Sequence, residues 1–303
     1  VIRRWDCVVV GGGPAGLSAA IYMGRFRRST LVLDDVQGRW TYGQRTENYL
    51  GFPRGVGARE LVALGRSQAA RFGASFETTH VGRVERDAHG FRLETSAGVR
   101  RARTVIWAAG VRDLWPDLPG ARALVGRRLF WCIVCDGWRV RGKRVLVVGG
   151  SLRDARTALQ FLSYTQRVTF LVEPGRRLLA RARRRLEASA IRIRAGSLER
   201  LRVRDDGLDA TIDGARLRTD YVFSLLGCVP RTEPLEDLKL AYSKSGNLCV
   251  DALGATRVPG FFAAGDVNDQ HSHQVSAAVH EGAAAAQAAN FMLYPARQRL
   301  LSR

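Results

Sequence analysis

Lysine is nearly absent from this chain: Lys143, Lys239 and Lys244 are the only exceptions in a basic complement otherwise made of arginine. The net charge of +20 is therefore an arginine property, which a coding skew accounts for as readily as a binding surface does. Cysteine is scarce too. Cys7, Cys132, Cys135, Cys228 and Cys249 are too few and too scattered to frame a disulfide scaffold. No second Cys-x-x-Cys and no His-x-x-x-His pair completes a zinc site, so no metal is expected. No apolar run reaches ~18 residues, which argues against a membrane span. Despite the charge, no helix-turn-helix, zinc finger or aromatic RNA-binding motif is present, so nucleic acid is not an expected partner. The first strand-like run begins almost at once and leaves no stretch to read as a signal peptide, although a start at Val1 rather than Met keeps an upstream leader open. A cytoplasmic setting is the expectation.

What is present is apolar enough for proper cores, with 46% hydrophobic residues in a chain of 303, a comfortable length for two domains. The organising stretch is Trp131-Cys132-Ile133-Val134-Cys135-Asp136-Gly137. Two thiols at this spacing can close a small disulfide ring or supply half of a metal site. With no second half to the metal site, a redox dithiol outweighs a pair of buried structural cysteines. Asp136 is an acid placed beside the second thiol.

The N-terminal run predicts a dinucleotide-binding unit. Asp6 to Val10 reads as an apolar strand, Gly11-Gly12-Gly13-Pro14-Ala15-Gly16 as the turn, and Leu17 to Met23 as the helix. Gly11 makes the tight turn, Gly13 admits a pyrophosphate and Gly16 lets helix and strand pack closely. The helix N-terminus then faces the phosphates. A second strand, Thr30 to Leu33, ends in Asp34, near the ~20-residue offset of a ribose-binding acid. Periodicity predicts a helix over 57–72, a small antiparallel sheet over 75–105, and a separate buried strand from Val105 to Ala109 that ends at Gly110.

The pattern then repeats. Arg144 to Val148 reads as a strand ending in Gly149-Gly150, followed by a helix over 154–163, a strand from Val168 to Val172 and a second meander over 191–222. Phe261 to Val267 predicts a strand with an acid at its end, and an alanine-rich helix over 274–291 closes the chain. The expected fold is α/β, with two Rossmann-like, three-layer ββα domains, the second inserted in the first. The first covers 1–117 and 246–303 and the second 118–245.

Together these segments resemble the low-molecular-weight thioredoxin reductase family of FAD enzymes over nearly the whole chain. The resemblance rests on Gly11-x-Gly13-x-x-Gly16, Glu47-Asn48-Tyr49, Gln68-Ala69-Ala70-Arg71-Phe72-Gly73, Cys132-x-x-Cys135-Asp136-Gly137 and Val258 to Val267. It implies that Gly11, Gly13, Pro14, Ala15, Gly16 and Asp34 hold the adenylate half of FAD. Asn48, Ala109, Gly110, Gly265, Asp266 and the His273-Gln274-Val275 segment then lie by the ribityl chain and flavin. It also implies that Cys135 faces the flavin, Cys132 attacks the partner disulfide and Asp136 is the acid/base, with an interdomain rotation between the two tasks. The partner is a thioredoxin-like protein or small disulfide, and the assembly a homodimer. Trp40 is expected beside the isoalloxazine, in an aromatic neighbourhood that includes Tyr42, Trp131 and Trp138.

The sequence departs from that family in its second unit. Gly149-Gly150-Ser151-Leu152-Arg153-Asp154 puts Ser151 in place of a glycine and Asp154 in place of a small residue. Glu173 and Pro174 stand where the family carries a cluster for the 2′-phosphate of NADPH. NADPH is therefore a doubtful ligand. A second FAD is an alternative occupant, with Gly149, Ser151, Arg153, Arg176 and Arg177 as its candidate ligands. The donor could be an acidic protein such as ferredoxin, received on the arginine-dense stretch 176–204, for which a solvated face is the plainer reading. His273 replaces a usual arginine, and with His271 and His280 it is a candidate base for an oxygen-dependent dithiol oxidase. An ordinary NADPH enzyme with displaced phosphate ligands is the other alternative.

Overall fold

A computed structural model describes residues 3–270, 273–295 and 298. The chain divides into two compact units, one of 1–41, 56–112 and 229–303, the other of 42–55 and 113–228.

The first unit is built on a seven-stranded sheet. Strands Ser75–Thr78, Thr30–Asp34, Arg4–Val10 and Gly98–Trp107 lie side by side in parallel, and Phe261–Ala263 adds to the last of them. Val8, Val10, Leu31 and Leu33 face one core, while Cys7, Val9 and Val32 face another, as the two-residue alternation of a doubly covered strand requires. Each such aliphatic side chain contributes ~1.5–3 kcal/mol over its exposed state. The second core is closed by helices Pro14–Arg25 and Val275–Leu293, which approach closely because alanines meet at Ala15, Ala19, Ala285, Ala286 and Ala289. A Cβ on Gly282 would collide with the carbonyl of Ala15, and Ser18 Oγ donates to the Val279 carbonyl at 2.7 Å.

The separate strand expected over 105–109 is instead the end of one long strand, Gly98–Trp107. Its first half pairs antiparallel with Gly90–Thr95, and its second half pairs parallel with Arg4–Val10. No turn residue interrupts 99–107, so the meander runs straight into the main sheet.

In the second unit, strands Leu129–Phe130, Tyr221–Ser224, Val145–Gly149, Val168–Val172 and Arg192–Ala195 form a parallel sheet in that order. Helices Leu152–Gln160 and Ala180–Glu187 cover one face over Phe161, Phe170 and Phe223. The other face, through Leu146, Val148 and Leu171, packs on a three-stranded sheet of Leu198–Arg204, Gly207–Ile212 and Ala215–Thr219. This is the three-layer arrangement expected. The second meander is narrower than 191–222, however: Arg192–Ala195 and Tyr221–Ser224 belong to the parallel sheet. Among the described residues no helix is long and apolar enough to cross a membrane.

Candidate active site

The first turn is shaped to hold a dinucleotide. Gly11 sits at φ +110°, and a Cβ there would strike the carbonyl of Ala108. A Cβ on Gly16 would fall on the Gly11 carbonyl oxygen, so the helix rests directly on the turn. Above Gly13 the nearest heavy atom is Trp40 Cδ1 at 4.0 Å, which leaves backbone open to a ligand. Gly13 is the N-cap of helix Pro14–Arg25, Pro14 opens its first turn, Ala15 is buried beside it, and no side-chain hydrogen bond caps it. Its N–H groups therefore remain as donors for an anion. Asp34 ends the second strand, and burial holds its carboxyl above the usual range although the Gly12 and Val36 N–H groups donate to it. Gly110, next to Ala109, has φ +68° with open space around it. These features fit the adenylate and pyrophosphate portions of FAD. The indole of Trp40 packs against Gly38, beside the glycine turn, and its Nε1 is buried without a partner.

Beside the start of helix Pro14–Arg25, where a Cβ on Gly265 would meet Ala15, Gly265-Asp266 is fixed by two residues that the sequence reading missed. Glu281 Oε2 accepts from the Gly265 N–H at 2.7 Å and from Asn268 Nδ2 at 2.6 Å. Arg39 Nη1 donates to Asp266 Oδ2 at 2.6 Å and lies 3.2 Å from His273 Nδ1. Arg39 lies 227 residues from Asp266 in sequence and Glu281 only 16 from Gly265, but they come from different elements and no local pattern announces them. Gln274 is the N-cap of the last helix and Val275 its first residue. His280 is an exposed residue of that helix, and His271 lies outside the described residues.

The second unit carries the Cys-x-x-Cys pair. Cys132 and Cys135 form a disulfide. Cys132 caps the short helix Ile133–Asp136, its sulfur accepting from the Cys135 N–H at 3.1 Å. Between the cysteines Val134 is 72% exposed, and Trp138 after them is 54% exposed, so apolar side chains flanking the pair in sequence face solvent. Tyr42, Trp115 and Trp131 meet edge to face at centroid distances of 5.2–5.8 Å. Through these rings the segment 42–55, which carries Asn48, packs with 113–228. Asn48 thus lies in a different compact unit from the other proposed flavin ligands. Burial raises the Asp136 carboxyl above its usual range; the Arg139 guanidinium pulls it down, and the nearby Glu47 pushes it up again. Arg139 Nε donates to Asp136 Oδ1 at 2.8 Å, an i,i+3 pair that spacing alone would have suggested. By contrast, the fully buried Cys7 has its thiol pushed up to about 12, mainly by burial, which makes it inert.

The second turn has the same frame with different contents. Asp154 is buried, and its Oδ2 accepts from the Gly150 N–H at 2.9 Å and the Ser151 N–H at 2.8 Å. Ser151 Oγ accepts in return from the Asp154 N–H at 3.1 Å, completing a capping box. A Cβ on Gly150 would fall on Arg176, whose Nη2 donates to the Leu226 carbonyl at 2.9 Å, and Gly149 leaves room for the Asp154 side chain. Arg153 stands in the first turn of helix Leu152–Gln160, and Arg177 is exposed beyond the second strand. Glu173 directly follows strand Val168–Val172, whereas Asp34 is the last residue of its counterpart. The Glu173 carboxyl is raised by burial, and Oε1 is buried with no partner.

Comparison with known proteins agrees with this geometry. Residues 5–282 match the family model described as pyridine nucleotide-disulphide oxidoreductase. The thioredoxin reductase of Treponema pallidum (strain Nichols) is 31% identical over 296 residues, covering 94% of this chain and 96% of that protein. The thioredoxin reductase of Bacillus subtilis (strain 168) is 29% identical over 300 residues, covering 94% and 93%. The solved structure of HlmI superposes with a TM-score of 0.86 at 31% identity, covering 95% of this chain and 92% of that one. With a Cys-x-x-Cys disulfide in one unit and an open glycine turn in the other, the chain belongs to the pyridine nucleotide-disulphide oxidoreductase family, as a flavin-dependent disulfide oxidoreductase of thioredoxin-reductase type.

Proposed function

We propose that this enzyme reduces a thioredoxin-like disulfide protein with electrons that do not come from a nicotinamide nucleotide. The observation that carries the reading is the Asp154 carboxylate, which occupies the Gly150 and Ser151 N–H groups that a dinucleotide pyrophosphate would need. A second anion there would meet a buried negative charge and find its donors already taken. The same carboxylate weighs against a second FAD, and Arg176, engaged on Leu226, is not turned to a ligand. The family's 2′-phosphate cluster is also missing at Glu173-Pro174. Two charge-assisted contacts at roughly 1.5–3 kcal/mol each correspond to about 10²- to 10⁴-fold in affinity.

FAD, when bound, supplies the two-electron reduction of the disulfide. The remaining chemistry belongs to the protein. The Cys132 thiolate attacks one sulfur of the partner disulfide, whose S–S bond breaks and releases a thiolate. Cys135 then gives its proton to Asp136 and attacks the Cys132 sulfur, which restores the internal disulfide and frees the second partner thiolate. The exposed Val134 and Trp138 offer the partner an apolar landing surface. The resemblance supplies the setting for this reading, a cytoplasmic homodimer.

An acidic protein donor is favoured by one feature of the charge distribution. In the first unit four of the meander arginines, Arg83, Arg92, Arg100 and Arg101, pair with carboxylates, while Arg86 is exposed and makes no ion pair among the described residues. In the second, Arg204 and Arg218 pair with Asp209, but Arg184, Arg185, Arg192, Arg194, Arg200 and Arg202 are exposed and make no ion pair among the described residues. Unneutralised charge of one sign on adjacent elements steers an oppositely charged protein.

Anaerobic mixing with excess NADPH or NADH should leave the flavin absorbance unchanged on a catalytic timescale. A reduced acidic ferredoxin should bleach it, at a rate that falls steeply with ionic strength and with charge reversal at Arg184 and Arg185. Rapid bleaching by NADPH would overturn the first part; a ferredoxin rate indifferent to salt would overturn the second.

A further inference from the structure

Arg139 lies between two carboxylates. Its Nε is 2.8 Å from Asp136 Oδ1, and its Nη2 is 3.3 Å from Glu47 Oε1. Asp136 ends the helix Ile133–Asp136, and Arg139 lies in the 3₁₀ turn Gly137–Val140 that follows it, so their pairing is local. Glu47 comes from the separate segment 42–55, where Arg45 also reaches it at 3.8 Å and anchors that segment by donating to the Arg54 carbonyl at 3.0 Å. The guanidinium carbon of Arg139 stands 4.7 Å from the Trp138 ring and 5.9 Å from Phe130, which confines it and limits its hydration. The charged groups facing Asp136 are thus Arg139 from its own stretch and Glu47 from the packed segment, with Arg45 behind Glu47.

We propose that Arg139 is a positioning residue that sets the protonation of Asp136 by sharing one guanidinium between that carboxylate and Glu47. The proposal rests on the reading of Asp136 as the acid/base serving the dithiol. With Arg139 on Oδ1, the proton-carrying role falls to Oδ2. Glu47 competes for the same cation, so Asp136 is held less firmly in its charged form than a private ion pair would hold it. A guanidinium stays charged throughout and can fork to both acids, which a lysine point charge does less well. The state in which Arg139 leans towards Glu47 favours proton uptake by Asp136. The state in which it leans towards Asp136 favours proton release.

The step that reads this is the closing half of thiol–disulfide exchange. Cys132 thiolate attacks 5,5′-dithiobis(2-nitrobenzoate), whose S–S bond breaks to release one thionitrobenzoate. Cys135 passes its proton to Asp136 and attacks the mixed disulfide, which releases another thionitrobenzoate and re-forms the Cys132–Cys135 bond. This slower release should fall at low pH as Asp136 becomes protonated and can no longer accept the proton.

The holoprotein, reduced with a phosphine and freed of it, is mixed anaerobically with an equimolar amount of that reagent over a range of pH. Arg139→Gln should move the acid limb of the slow phase up by about one pH unit, and Glu47→Gln should move it down by roughly half a unit. Arg139→Lys should stay nearer to the wild type than Arg139→Gln. A purely structural role would not produce shifts of opposite sign. Asp136→Asn should remove the limb. A limb that survives Asp136→Asn would overturn the assignment of Asp136 as the acid. A limb lost in Asp136→Asn but unmoved, or moved the same way, by Arg139→Gln and Glu47→Gln would overturn the role of Arg139 alone.

Discussion

The two glycine turns of this chain differ in what occupies the donors at the start of the helix. In the first, Gly12 directs its N–H to Asp34 on the neighbouring strand, and the helix behind Gly13 begins without a side-chain cap. In the second, Gly150 and Ser151 direct theirs to Asp154, a residue of the helix itself. A strand–turn–helix unit needs its N-terminal N–H groups satisfied by something. Where a ligand supplies that anion the turn can stay bare, as at Gly13 and Gly16. Where the chain supplies it, as Asp154 does, the frame persists with its donors satisfied from within. Frame and ligand recognition are separate constraints, so one can be lost while the other remains.

The largest effect should come from disturbing the bare turn. Gly16→Ala places a methyl on the Gly11 carbonyl oxygen, and backbone cannot yield as a side-chain tip does. The flavin-to-protein ratio on purification should fall at least about tenfold, with a stability loss of about 2 kcal/mol by denaturant unfolding. Full flavin content would place the dinucleotide elsewhere. Next in size, Asp154→Gly should cost about 2 kcal/mol by orphaning the two N–H groups, and should create measurable ADP binding by equilibrium dialysis where the wild type has none. Wild-type ADP affinity equal to the variant's would erase the contrast between the turns. The smallest effect concerns the acid that follows strand Val168–Val172. Burial raises the Glu173 carboxyl, so the native state binds its proton more tightly than the unfolded chain does. The ionised form therefore weakens the fold above the usual carboxylate range, and that cost disappears as pH falls below it. Glu173→Gln should stabilise the protein at neutral pH by about 1 kcal/mol or less, since solvent screens a half-buried group, with no gain in acid. Thermal unfolding at the two pH values would read the difference.

Much of this was legible in the chain because it is local. Gly11, Gly13 and Gly16 lie within one turn, Asp34 follows at a set offset, and Cys132, Cys135 and Asp136 are neighbours. The repeated strand–turn–helix pattern likewise needs only periodicity. Legibility ended where partners come from distant elements. Arg39 on Asp266 and Glu281 on Gly265 carry no mark in sequence. The strand Gly98–Trp107 reads as two pieces in sequence but is continuous, its pairing changing from antiparallel to parallel without any change in the residues.

Asp154 marks the limit most clearly. The sequence by itself determined that a carboxylate stands at this turn, Asp154. Only the tertiary structure decided where that carboxylate goes. It turns back onto the Gly150 and Ser151 N–H groups because buried backbone donors and a buried anion each lower the cost of the other. In the same way, composition determined that the chain is rich in arginine, and folding decided which arginines are neutralised. Arg139 reaches Glu47 only because the ring cluster of Tyr42, Trp115 and Trp131 draws the segment 42–55 into the second unit, and a charge is settled by the nearest opposite charge in space.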